Sequence, residues 1–152
     1  MMVGLPGSGK STWVDYQQRN ERCYTYSTDH VIDNIASLYK VDYDFIFKQA
    51  IDLAKRICNH QLGIAQTDDV PVIFWDQTNL TRKSRKAKMS QVDPAYRRVA
   101  VVVQCQDRFK WLERCKSRKG KHIPLKVLED MEKSFEMPEK SEGFDEIGIY
   151  RT

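Results

Sequence analysis

Nine residues near the start of the chain, GLPGSGKST from Gly4 to Thr12, follow the apolar run Met1-Met2-Val3 with no spacer. Glycines permit positive φ and let the backbone come close to a ligand. Successive N–H groups then turn toward one anion, and the helix that follows adds the positive end of its dipole. The spacing Gly4-x4-Gly9-Lys10-Ser11 is that of a phosphate-binding loop, and the apolar strand before it and helical pattern after it are the context such a loop requires. The expected phosphate ligands are Gly7, Ser8, Gly9, Lys10, Ser11 and Thr12. Lys10 is placed to reach the β- and γ-phosphates, Ser11 to offer a hydroxyl to Mg2+, and Thr12 to act as a second helix-start hydroxyl.

The rest of the chain alternates. "CYTYS" from Cys23 reads as a strand, followed by an N-cap at Thr28 and a helix to about Leu38. A longer helix is expected over Tyr43 to Gly63, with an apolar stripe that includes Phe45, Ile46, Leu53, Ala54 and Leu62. "VIFW" (Val72–Trp75) and "RVAVVVQC" (Arg98–Cys105) are continuous apolar runs, as in strands covered on both faces. Helices are expected near 10–19, 81–91, 107–116 and 124–135, with a final strand at "EIGIY" from Glu146. The 152 residues suit one α/β domain whose mostly parallel sheet has helices on both faces. Ligands of such sheets bind at the carboxyl ends of the strands.

Composition narrows the class. A hydrophobic content of 41% and a charged content of 30% describe a globular chain. No run approaches the roughly 18 apolar residues of a membrane helix, and no charged-then-apolar leader opens the sequence. Cys23, Cys58, Cys105 and Cys115 lack metal-ligand spacing and read as free thiols of a reducing cytoplasm. Charge is unevenly placed. Residues 82–121 hold 14 Lys/Arg against 3 Asp/Glu, and the remainder 11 against 18, within a net +4. The basic stretch suits a polyanionic partner, or a solvated helix face.

A guanine-reading NKxD is missing, and the length leaves no room for the second large domain of a motor or helicase. A small kinase needs a base for the acceptor hydroxyl, an acid near metal or acceptor, and mobile arginines. Asp29, after the second strand, is the candidate base or else an N-terminal helix acid; Asp33 lies one turn on. Asp76, after the third strand, is the acid for hydrated Mg2+ or acceptor, or else a capping residue. Asn79 is a turn former or a site residue. Arg114 and Arg118 share a side if the helix extends that far, with Gly120 ending it as a hinge; residues 114–123 then form a lid.

"GLPGSGKSTW", an Asp after the second strand, "DQTNLTRKSR" and "RCKSRKGKHIP", in that order, resemble the phage-type polynucleotide 5′-hydroxyl kinase family. The resemblance runs from Val3 to about Phe135. It implies a P-loop kinase fold with five strands in the order 2-3-1-4-5 and a helical lid. It implies ATP and Mg2+ on Gly7 to Ser11, with Lys10, Asp29 and Arg118 catalytic, and Arg118 and Arg114 on the donor phosphates. Asp76, Thr78 and Asn79 would lie beside the active site, and Arg82 and Arg85 would contact nucleic acid or nucleotide. The implied partners are 5′ ends of DNA or RNA, with neither a membrane nor an obligate protein partner.

The sequence departs from that family where an arginine, three residues after the base, would grip the acceptor's neighbouring phosphate. Ile32 stands there. Either Arg82, Arg85 or Lys88 compensates, or the acceptor differs. Two other classes therefore stay open: a kinase for another hydroxyl, such as a hydroxymethylated base or a small metabolite, and a non-catalytic ATP- and RNA-binding module. "MMVGLPGSGKSTWV" also resembles the degenerate kinase-like domain of some nuclear RNA-binding proteins.

Overall fold

All the strand pairings in the computed structural model, which describes residues 1–18, 22–118 and 120–152, are parallel. β4 (Val99–Gln104) lies between β1 (Met2–Val3) and β5 (Glu146–Arg151), with Met2 opposite Val101 and Val99 opposite Glu146. β2 (Cys23–Tyr26) pairs with β3 (Val72–Trp75), Cys23 opposite Val72. Side chains alternate along β4 because the strand period is two. Ala100 and Val102 pack with Val3, Met89 and Phe144, while Val101 and Val103 pack with Met2 and Val14. The sheet is thus covered on both faces by helices: α1 (Lys10–Gln17) carries Val14, and α4 (Arg82–Met89) carries Met89.

The expected single five-stranded sheet is corrected in one respect. The ladders fall into two groups, β1-β4-β5 and β2-β3. Where β3 would meet β1, the chain turns away after Trp75, and two other bonds span the gap. The Gly4 amide donates to Thr78 O (2.9 Å), and the Asn79 side-chain amide donates to Met2 O (2.6 Å). Asn79 is 1% exposed and left-handed (φ +50°), a conformation Asn tolerates better than most residues.

Local chemistry sets the helix starts. α2 (Thr28–Tyr39) is capped by Ser27, one residue earlier than expected, whose Oγ accepts from His30 N. Thr81 caps α4, and Asp107 caps α5 (Arg108–Lys116). α3 (Tyr43–Thr67) buries Ala50, Ala54, Cys58, Leu62 and Ala65, mostly small residues spaced by four, and packs on α2 through Ile32. α6 (Leu125–Lys133) completes the helices. The expected end of α1 at Arg19 lies outside the described residues.

The lid differs from its expectation. α5 stops at Lys116 with Ser117 as C-cap, so Arg118 lies beyond the helix, and Gly120 (φ +67°) turns a loop instead of ending a helix. The expected lid also includes Lys119, which lies outside the described residues. Asp44 holds this loop to the start of α3: its amide donates to Gly120 O (3.0 Å), and its carboxylate accepts from His122 N (2.7 Å).

Arg85 is fully buried, against the expectation of an acceptor contact. Its Nε and Nη2 each donate to Glu142 at 2.7 Å, and Nη1 donates to the carbonyls of Asn79, Leu80 and Glu136. Those bonds tie α4 to the segment before β5. Removing one partner of such a pair leaves a buried charge, so Arg85→Met is expected to lower unfolding free energy by about 3–5 kcal/mol in urea titrations. Hydrogen bonds from Arg85 hold the Glu142 carboxyl below its ordinary 4.5, against the opposing effect of burial. This stabilisation is complete above the unfolded carboxyl's pKa and is lost as pH falls through the lower folded value. Glu142→Gln should therefore flatten the decline in stability below about pH 4.5.

Candidate active site

The loop from Gly4 to Gly9 is set by its packing. Gly7 has φ +73°, and a Cβ there would lie 2.9 Å from Cys115 Sγ, so α5 presses directly on the loop. Trp111 Nε1 and Cys115 Sγ both donate to Pro6 O, at 2.6 and 3.3 Å. Gly9 (φ +100°) is the N-cap of α1, which places the first amides of the helix at the end of the loop. Ser8 is buried, and its Oγ has no partner among the described residues, so its contribution to a phosphate would come from the backbone.

Lys10 is 8% exposed and donates from Nζ to Leu5 O at 2.8 Å. Burial lowers its pKa to about 8; Asp76 and Asp29 oppose that shift and Arg118 adds to it. Asp76 leaves β3 with its amide bonded to Tyr26 O, and its Oδ2 accepts from Ser11 Oγ at 2.7 Å. Burial raises the Asp76 carboxyl, and the Ser11 bond and Lys10 counter it. Asp29 lies in the first turn of α2. Its Oδ1 accepts from the Tyr43 hydroxyl (2.8 Å), and its Oδ2 lies 3.7 Å from Arg118 Nη2 and 4.0 Å from Lys121 Nζ. Burial, then Asp29, pushes the Tyr43 hydroxyl well above its ordinary range, so it stays a donor at neutral pH.

These groups share one cleft of about 1290 Å³. Of the residues expected from the sequence, Gly7, Gly9, Lys10, Ser11, Thr12, Asp29, Asp76, Thr78, Arg114 and Arg118 line it. Asn79 and Arg85 do not, because both are spent on internal bonds. Arg82 also lies elsewhere: its amide bonds Glu136 (2.5 Å) and its guanidinium pairs with Glu139. Tyr26 and Trp75 stack on each other in the core (4.2 Å between centroids), while Trp13 lines the cleft.

Three site residues carry no sequence signal of their own. Tyr43 reads as part of a helix start, Lys121 as one cation of a basic run, and Gln77 as a turn residue. Lys121 bonds Asp33 at 2.5 Å and lies 4.3 Å from the Tyr43 ring centroid. Gln77 donates to Thr28 Oγ1 (2.9 Å), which joins the end of β3 to the start of α2.

The donor set suits Mg2+ shared with phosphates. Ser11 Oγ and Asp76 Oδ2 are adjacent oxygens, and no group of three or more His, Cys, Asp or Glu among the described residues forms a metal cage. Mg2+ is commonly held by one or two carboxylates together with substrate phosphates.

A family model described as AAA domain matches residues 1–138. The chain belongs to that AAA domain family. It is a P-loop nucleotide-binding, kinase-like domain. Among curated proteins the AAA domain chain is similar to heterogeneous nuclear ribonucleoprotein U-like protein 2 of Homo sapiens and of Mus musculus. Each is 28% identical over 154 residues, which cover 97% of this chain and 20% of the relative. The chain spans about a fifth of the length of these relatives. No helix among the described residues is long and apolar enough to cross a membrane.

Burial of Lys10 has a measurable consequence. The ammonium form binds phosphate, and in the free protein it loses its proton near pH 8. ATP affinity, measured by calorimetry with Mg2+, should fall as pH rises from 7.5 to 9.5. Lys10→Met should bind about 10- to 100-fold more weakly at pH 7.5, the loss of one charge-assisted bond, and show a flatter profile.

Proposed function

We propose that this domain transfers the γ-phosphate of ATP to the 5′-hydroxyl of a nucleic acid end. The observation that carries the reading is Asp29, a carboxylate oriented by Tyr43 on the cleft that the phosphate-binding loop lines. With one oxygen held, the other is the proton acceptor. As the acceptor oxygen bonds to the γ-phosphorus, its proton passes to Asp29 and the bond to the ADP oxygen breaks. The products are a 5′-phosphomonoester and ADP.

The loop amides and Lys10 hold the donor. Mg2+, with Ser11 and Asp76 as the residues that would hold it, supplies neutralisation of phosphate charge. Arg118 lies 3.7 Å from Asp29 in a half-exposed pair. Such pairs contribute at most about 1 kcal/mol. A triphosphate offers a stronger partner, and the turn of Arg118 toward it frees the Asp29 oxygen that takes the proton. A nucleic-acid acceptor draws support from the relatives, which are named as ribonucleoproteins, and from the family resemblance.

Ile32 favours a second reading. It is fully buried against Ala50 and Ala54, so that position makes no acceptor contact, which suits a kinase acting on another hydroxyl. An acceptor screen with labelled ATP and Mg2+ separates the readings. Transfer to 5′-hydroxyl oligonucleotides but not to free nucleosides or hydroxymethylated bases is the expected result. ATP-dependent RNA binding with no transfer at all would instead make this a binding module. Asp29→Asn should keep ATP affinity while turnover falls about 10²- to 10⁴-fold, and undiminished turnover would remove Asp29 from the role.

A further inference from the structure

Most cations at the cleft have a partner that explains them. Lys10 bonds a loop carbonyl, Arg114 bonds Thr152, and Arg118 and Lys121 face the carboxylates of α2. Lys88 is different. It comes from the last turn of α4 and lines the same cleft. Its Nζ donates at 2.5 Å to Asn79 Oδ1, a neutral acceptor, and it enters no ion pair among the described residues. Burial lowers its pKa to about 8 with no carboxylate to oppose the shift.

The ammonium is also held in place. Asn79 cannot rotate away, because its amide is committed to Met2 O (2.6 Å) and Gln77 O (3.1 Å). The preceding residue, Thr78, lines the cleft, and Gln77 bonds Thr28 beside Asp29. Lys88 therefore stands at the segment that connects to the base, whereas Arg114 bonds Thr152, which in turn bonds Ser8 O of the phosphate-binding loop. A partly desolvated, fixed, unpaired ammonium is an anion site, since a buried charge is costly until it is paired.

We propose that Lys88, with Thr78 beside it, binds the phosphodiester that follows the 5′-terminal nucleoside of the acceptor. This rests on the function proposed above and supplies the contact that Ile32 lacks. Arg82 and Arg85, the other two candidates, are committed to Glu139 and Glu142. The donor phosphates have their own ligands in the loop amides, Lys10 and Arg118.

The test compares kcat/KM for two 5′-hydroxyl oligonucleotides that differ only at the first internucleotide linkage, phosphodiester in one and neutral methylphosphonate in the other. The wild type should favour the phosphodiester by about 10-fold or more, the effect of one charge-assisted bond. Lys88→Gln, which keeps a donor for Asn79, should bring that ratio close to one, and Lys88→Arg should keep most of it. A wild-type ratio in Lys88→Gln, or no preference in the wild type, overturns the assignment of Lys88 alone. A wild type that phosphorylates neither oligonucleotide overturns the acceptor reading, and the Lys88 site with it.

Discussion

Where β3 ends, the backbone leaves the sheet before any ladder to β1 forms, and a side chain takes the place of the missing strand bonds. Asn79 reaches Met2 O with its amide and receives Lys88 on its oxygen. A buried carbonyl left without a donor costs about 1–3 kcal/mol, so this bond is needed to seat β1 against the second pair of strands. The phosphate-binding loop and the two carboxylates of the cleft meet across that seating. β1 feeds the phosphate-binding loop, β2 leads to Asp29 in the first turn of α2, and Asp76 follows β3. The Gly4–Thr78 and Ser11–Asp76 bonds are further ties across the same junction.

Charge shows the same division of labour. The basic run from Arg82 to Lys121 looks, in sequence, like a surface for a polyanion. In the fold, Arg82, Arg85, Arg97 and Arg108 meet Glu139, Glu142, Glu146 and Glu132 respectively. Four of the basic middle's cations are thus paired within the molecule, with the acidic end of the chain. Of the cations outside those pairs, Lys10, Lys88, Arg114, Arg118 and Lys121 line the cleft, where Arg118 and Lys121 face the carboxylates of α2.

What was legible in the sequence follows from how local each signal is. Val72–Trp75 forms as read because a continuous apolar run suits a strand covered on both faces. The phosphate-binding loop is legible because its glycines, lysine and hydroxyl sit within nine residues. Arg85 misleads because its partner, Glu142, is 57 residues away, and no spacing rule links the two. α3 misleads in another way. Phe45 and Leu53 look like its buried stripe, yet they are 72% and 43% exposed, because α2 packs closely enough that Ala50 and Ala54 fill the contact. The four-residue spacing of Arg114 and Arg118 suggests one helix face, but α5 ends at Lys116. Contacts from α3 hold the loop that follows.

That last difference changes how the cleft is built. The loop after α5 bonds to Asp44 at the start of α3 and, through Lys121, to Asp33 of α2. Arg118 is therefore positioned from the half of the molecule that carries Asp29, while Arg114, still on α5, stays with the phosphate-binding loop that α5 packs against. Two arginines close in sequence are thereby held by different elements on one cleft. The two sides of the cleft are joined by the bonds that Gly4, Asn79 and Ser11 make across the junction, which are short, few and central.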